Sequence, residues 1–340
     1  AYEIRPRDWS SDVCSSDLSH YDASGAIDHA RTAAHLSHLA RHVGGLLAAG
    51  STGDGWTLDE RRHRTVVQAS IDAGRKHGLQ ILVGVLRKES AEVVDGIRAF
   101  SRSPATGGGF ATTERELAPL GIRGFTVCGP VGSGRAEAEV EAGLRGILEL
   151  GVPVALYQLP QVTGYALSPA LVQRLAAGFR NFRWFKDTSG ADRVALAPGG
   201  LPGVFMVRGA EGDYARWMKS GGGPYDGFLL STANAFAAEL DSILRLALEG
   251  RRDKAARLSE RLTAVVRDVF AAVQPLTESN AFANANKSVD HYMAHGARAA
   301  TAEPPRFPSG RPMPADVLRT VGSILESHQY MPKTGYLAGA

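Results

Sequence analysis

Cysteine is nearly missing from this chain of 340 residues: there are two, Cys14 and Cys128. Two thiols cannot build a disulfide framework or a four-ligand zinc site, and a reducing, cytoplasmic setting is expected. Long apolar runs are missing too. None approaches the roughly 18 to 20 residues that a membrane-spanning helix requires, which predicts a soluble chain. Neither charge sign dominates, with 38 Lys and Arg against 35 Asp and Glu and a net charge of +3. That balance, without a basic stripe carrying interleaved aromatics, excludes a nucleic-acid footprint. Apolar residues at 44% and charged residues at 21% exclude disordered and coiled-coil classes. Glycine, in contrast, is plentiful at 39 residues. Without a collagen repeat, and beside many Val, Leu and Ile runs, these glycines must punctuate ordered structure.

The first eighteen residues, AYEIRPRDWSSDVCSSDL, follow neither a strand nor a helix period and contain no signal-peptide core. The stretch WSSDVCSSDL resembles a translated sequencing-adaptor sequence. Residues 1–18 are therefore read as suspect, non-native or disordered, with a natural polar arm as the other reading.

From Ile27 a regular alternation begins. A helix over 27–43 precedes the apolar run 44–49 and the turn GSTGDG, and Thr57 to Glu60 reads as a capping box for a helix ending near Gly78. Strands are predicted at 81–85, 124–128, 152–157, 182–186, 204–207 and 227–230, with helices between them. These include a helix capped by Ser168 with Pro169 in its first turn, and a helical segment near Asp192. Residues 101–118 break the rhythm and read as an insertion or a mobile loop.

Seven strand-helix units imply a parallel sheet covered by helices, and an eighth would close it. The fold class is α/β, a (β/α)8 TIM barrel over 19–250 with the insertion at 101–118. A C-terminal helical extension over 251–340 follows, and the first strand is left open because it falls where the chain looks foreign.

In such a barrel the chemistry sits at the C-terminal ends of the strands. Those ends deliver Ser51 and Thr52, Tyr157, Lys186, Glu211 and Ser231. Lys186 closes the aromatic run Phe182-Arg-Trp-Phe185. A free lysine, with a pKa near 10.4, is neutral in only about 0.04% of molecules at pH 7, so burial is needed to make it a nucleophile. An ordinary solvent-directed lysine at a strand end is the competing reading. Adjacent strands lie about 4.8 Å apart, so Tyr157 could place its phenol beside that amine as a proton shuttle, or could be a core tyrosine. The Gly50 to Gly55 turn offers backbone N–H groups and two hydroxyls to an anion, although such turns are common in barrels; it is neither a Walker loop nor a dinucleotide fingerprint. His29, His35, His38 and His42 recur at helical spacing and read as a solvated polar face before a metal site.

Four motifs in this order, GLLAAGSTGDGWTLDER, VPVALYQLPQVTGYALSP, FKDTSG and GFLLSTANAF, resemble the dihydrodipicolinate synthase and N-acetylneuraminate lyase family of class I, Schiff-base aldolases. The resemblance runs from about Ile27 to the C-terminal helices. It implies a usually tetrameric barrel enzyme acting on pyruvate or another 2-oxo acid through a covalent lysine imine, with no other cofactor and no metal. Lys186 then matches the Schiff-base lysine, Tyr157 the proton-relay tyrosine, and Ser51 and Thr52 the carboxylate-binding pair.

Departures from the family pattern bear on substrate. The arginine with which the synthase branch binds a dicarboxylate is replaced by Val162, which disfavours dihydrodipicolinate synthesis. Gly129-Pro-Val-Gly132 stands where that branch carries a tyrosine pair, so the proton relay is expected to be wired differently. Glu211 resembles one of two acidic residues that grip sugar hydroxyls in the lyase branch, pointing to a sugar-acid-like substrate. Leu230 occupies the position of a family serine, with Ser231 one residue later. A sugar-acid dehydratase using the same imine and a non-catalytic 2-oxo acid binder are the alternatives.

Overall fold

A computed structural model describes residues 13–102 and 108–338. Eight parallel strands close a barrel in sequence order: β1 (Val13–Ser16), β2 (Gly45–Ala48), β3 (Gln80–Gly84), β4 (Gly124–Val127), β5 (Val154–Gln158), β6 (Phe182–Asp187), β7 (Phe205–Arg208) and β8 (Gly227–Leu230). The outer helices of the barrel are α1 (His29–Leu39), α2 (Glu60–His77), α3 (Ser90–Ser101), α4 (Glu114–Leu117), α5 (Glu137–Leu148), α6 (Pro160–Thr163), α7 (Pro169–Gly178), α8 (Tyr214–Trp217) and α9 (Ala233–Leu248). Beyond them α10 (Arg252–Val273) packs on α8 and α9, and α11 (Ala281–His295) and α12 (Ala315–Ser327) pack on α10. Among the described residues no helix is long and apolar enough to cross a membrane.

Strand alternation sorts side chains into two layers. Cys14, Leu47, Leu82, Ala155, Trp184, Val207 and Leu229 meet inside the barrel. Their neighbours one residue along, such as Leu46, Ile81, Val154, Phe185, Phe228 and Leu230, join the larger core under the helices. Two residues on from the inner set, toward the C-terminal mouth, this parity brings Tyr157, Lys186, Gly209 and Ser231.

The strand left open in the sequence is Val13–Ser16, inside the segment that resembles an adaptor; it pairs with both β2 and β8. Residues 1–12 lie outside the described residues. β1 is an unusual barrel strand because Ser15, Ser16 and the following Asp17 are all buried. Asp17 accepts from the Ala49 amide at 3.1 Å, while its other oxygen has no hydrogen-bond partner. Burial, partly offset by the Ala49 and Gly50 amides, raises its pKa to about 7. A carboxyl whose folded value lies above its unfolded value of about 3.9 favours folding at low pH and loses that contribution as pH rises toward 7. Three units correspond to about 4 kcal/mol. Asp17→Asn is therefore expected to raise the melting temperature at pH 8 and to flatten the decline between pH 4 and 7. Parallel pH-dependent melts of the two proteins check this, and identical slopes would contradict it.

Three local expectations are corrected. The cap of α2 is Asp59, whose carboxylate accepts from the Arg62 amide at 2.8 Å; the Thr57 hydroxyl instead donates to the Asp54 carbonyl. The segment after β6 turns without forming a helix near Asp192. That residue is buried in a left-handed conformation and receives Arg208 and Tyr225, and Gly199 and Gly200 follow at positive φ. Part of the 101–118 stretch is ordered as α4, opened by a capping box between Thr113 and Glu116. Ser168 caps α7 as the sequence indicates, accepting from the Leu171 amide at 3.1 Å.

Candidate active site

Lys186 and Tyr157 are direct register partners on β6 and β5. The Lys186 amine lies 4.2 Å from the centroid of the Tyr157 ring, and both residues are buried. Space for the lysine comes from Gly209 across β7, where an added Cβ would stand 2.8 Å from Lys186 Cε and 2.4 Å from Thr188 Oγ1. Burial lowers the Lys186 pKa to about 8, against the pull of Cys128 and Glu211. At pH 7 about a tenth of such amines are neutral, against about 0.04% for a free lysine. Burial also pushes the Tyr157 phenol upward, with Thr188 and Ser51 drawing it partly back. A buried, protonated phenol beside a partly neutral amine is a proton donor and acceptor set against a nucleophile.

Because only a neutral amine is nucleophilic, labelling of Lys186 by a small amine-directed acylating reagent is expected to speed up about tenfold per pH unit below pH 8 and to level off above it. A flat profile from pH 6 to 9 would contradict a lowered lysine pKa.

The loop after β2 is shaped by conformational strain. Ala49 and Asp54 both take left-handed backbone, and a Cβ at Gly55 would stand 2.0 Å from the Ala49 carbonyl oxygen. The Gly50 amide turns to Asp17 and those of Gly53, Asp54 and Gly55 turn back onto the Gly50 and Ser51 carbonyls, which leaves the amides of Ser51 and Thr52. The anion cradle expected from six residues is narrowed to these two. Ser51 Oγ accepts from the Trp56 indole at 2.9 Å and helps draw the Tyr157 phenol back toward its ordinary pKa.

What fixes the loop is a feature the sequence reading missed. Asp54 accepts from Tyr21 and from Lys287 of α11, both at 3.0 Å, and from Ser279, while Asn280 donates to the Ser51 carbonyl at 2.9 Å. Lys287 and Asp54 form an ion pair that is fully buried. The signal available in sequence was a lone lysine within the small and polar run of α11; its partner lies 233 positions away.

Glu211 stands at the mouth after β7. Its carboxylate accepts from Ser231 Oγ at 2.6 Å, the Thr232 amide at 3.1 Å and Tyr214 Oη at 3.0 Å. Ser231 thus faces inward beside Glu211, sharing the parity of Leu229, while Leu230 faces the helices. The structure brings Ser51, Thr52, Tyr157, Lys186, Glu211 and Ser231 to one end of the barrel.

The histidines of the α1 face divide: His29 is exposed as the sequence reading expects and His42 is half-buried, whereas His35 and in part His38 are packed. His35 is fully buried with Nε2 2.9 Å from the Asn234 carbonyl, and His38 stacks on Tyr336 with centroids 4.3 Å apart. His20, His35 and Asp290 converge with ligand-like spacing. Asp290, however, already pairs with Arg31 and accepts from Tyr336, and Arg31 and Lys287 help hold His20 below its ordinary pKa after burial. Positive charge is already supplied there, which disfavours a cation.

With this geometry in place, the match of residues 111–292 to the model of the dihydrodipicolinate synthetase family covers more than half of the chain. The chain belongs to that family. It is thereby a lyase of the aldolase type. It is 27% identical to the 4-hydroxy-tetrahydrodipicolinate synthase of Synechococcus sp. (strain CC9605) over 265 residues, 75% of this chain and 79% of that protein. Among solved structures, the E. coli K12 prophage protein YagE in complex with pyruvate superposes with a TM-score of 0.72 at 19% identity, over 94% of this chain and 99% of that one. A Sulfolobus 2-keto-3-deoxygluconate aldolase in complex with D-KDPG superposes with a TM-score of 0.69 at 17% identity, over 94% of this chain and 96% of that one. At these identities the two structures establish the shared fold.

Proposed function

We propose that this family member is a Schiff-base-forming lyase that makes or cleaves a 2-oxo acid, with pyruvate as the carbonyl donor. The observation that carries the reading is the buried Lys186 amine, with its pKa lowered to about 8, over the ring of Tyr157. In the synthetic direction the Ser51 hydroxyl and the Ser51 and Thr52 amides hold the carboxylate while Lys186 attacks the adjacent ketone. Water leaves and an imine forms. Loss of a proton from the neighbouring carbon yields an enamine, whose carbon bonds to the carbonyl carbon of an aldehyde. The aldehyde oxygen takes up a proton, relayed by Tyr157, and water hydrolyses the imine to free the lysine and the 4-hydroxy-2-oxo acid. Because the protonated imine is the electron sink, the step requires no further cofactor.

In the sequence, Glu211 points to a sugar-acid-like substrate. Its carboxylate is engaged by three protein donors, so it would serve a polyol only through its remaining lone pairs. Val162, in place of the arginine implied by the family resemblance, supplies no charge for a second carboxylate and weighs against dihydrodipicolinate synthesis. The homotetramer and the cytoplasmic setting implied by that resemblance belong to the same proposal.

Incubation with pyruvate and borohydride tests the reading. It is expected to reduce the imine and leave a lysine-linked adduct on the peptide containing Lys186, measured by mass spectrometry. No adduct, with a known class I aldolase labelled in parallel, would overturn it.

A further inference from the structure

We propose that the outer part of the active-site cavity is an acceptor subsite for an apolar, aryl-sized aldehyde, and for the matching tail of a 4-substituted 2-oxo acid, and not for a polyol or a second carboxylate. The proposal rests on the Schiff-base reading above and names its second substrate. The cavity beside Ser51 has a volume of about 530 Å³, within the range of ligand sites. Its apolar walls are Trp56, Leu159, Val162, Ala281, Phe282 and Pro308. Trp56 and Leu159 also pack with Tyr157, Cys128 and Leu86, so the cavity and the lysine pocket share one wall. An acceptor held against Trp56 therefore lies next to the residues that flank the amine.

Most of the polar groups of the lining are already engaged with protein partners, and the Ser51 proton is taken by the donor's carboxylate in the reading above. Ser51 accepts from Trp56, and Asp54 is surrounded by Tyr21, Ser279 and Lys287. Asn280 donates to the Ser51 carbonyl and accepts from the Ala283 amide. Gln161 donates to the Thr188 carbonyl at 3.0 Å, and Glu278 receives Ser309 and Arg311. A polyhydroxylated chain entering here would give up water without finding an equal set of free partners, whereas an aryl group would exchange water for apolar contact. Val162 adds to this: it is a large apolar side chain, 39% exposed, on the rim of the cavity. An exposed apolar wall of that kind gains most from an apolar occupant.

The test compares pyruvate condensation with benzaldehyde and with D-glyceraldehyde, following products by NMR, while pyruvate and borohydride labelling is scored on the same preparation. Labelling is expected, with kcat/KM for benzaldehyde at least about tenfold above that for D-glyceraldehyde. Val162→Arg is expected to lower the benzaldehyde to glyceraldehyde ratio by about tenfold or more, because it places a charge on the apolar wall. Labelling together with an equal or greater rate on D-glyceraldehyde overturns the subsite and leaves the Schiff-base reading standing. An unchanged ratio in Val162→Arg places the acceptor elsewhere and overturns the subsite as well. An absence of label overturns the underlying reading, and the subsite falls with it.

Discussion

Lys186→Met is expected to abolish the borohydride-trapped pyruvate adduct and to reduce kcat/KM on the order of 10⁴-fold or more, because in the proposed reaction Lys186 supplies the imine nitrogen. Methionine is chosen because it fills the channel beside Gly209 and Tyr157 without an amine, so the fold should hold. The lysine side chain runs so close to Gly209 that a Cβ there would meet it. A variant that melts like the parent but carries no adduct separates chemistry from packing. If the chain were a non-catalytic 2-oxo acid binder, the parent would take no label and calorimetry would find pyruvate binding retained in Lys186→Met. Residual adduct on another lysine in the variant would move the nucleophile elsewhere.

Tyr157→Phe is expected to lower kcat by roughly 10² to 10⁴-fold, the usual worth of a positioned proton donor and acceptor. The ring stays, and with it the 4.2 Å contact to the Lys186 amine, so borohydride labelling should survive at a reduced rate. Only the hydroxyl flanked by Thr188 and Ser51 is lost. Loss of one buried hydrogen-bonding hydroxyl should cost about 1 kcal/mol of stability. Comparison of kcat with the melting temperature distinguishes the roles: a large fall in kcat with a small change in melting identifies a proton route, whereas unchanged kcat would leave Tyr157 as a packing residue. The tyrosine pair implied by the family resemblance is replaced by Gly129 to Gly132, so Tyr157 carries the relay in this proposal.

Most of the barrel was legible because strand parity and helix caps are local. The runs at 81–85, 124–128 and 182–186 became β3, β4 and β6 with shifts of a residue or so at their ends. Lys186 and Tyr157 were legible for the same reason: each closes an apolar strand, and neighbouring strands in a parallel barrel share a height. β1 was not legible. Val13-Cys-Ser-Ser16 and Asp17 read as a polar segment, and they are buried only because β2 and β8 offer two edges that a closed barrel must cover. Ser231 looked displaced by one residue in the motif, yet the barrel interior selects it by its parity with Leu229.

By itself, the sequence determined the alternation of strands and helices, the ordered motifs of the aldolase family and the lysine and tyrosine at matching strand ends. Each of these is written within a few consecutive residues. Tertiary structure alone decided that β1 closes the barrel and that Asp54 is clamped by Lys287. It also decided that His35 and His38 of α1 pack against Tyr336 of the C-terminal segment, and that Asn280, Glu278 and Ser279 of the outer cavity are engaged with protein partners. Those outcomes depend on distant partners, 233 positions apart for Asp54 and Lys287 and farther still for His38 and Tyr336, whose meeting is set by barrel closure and the docking of the C-terminal helices. Local periodicity carries no information about such distant contacts.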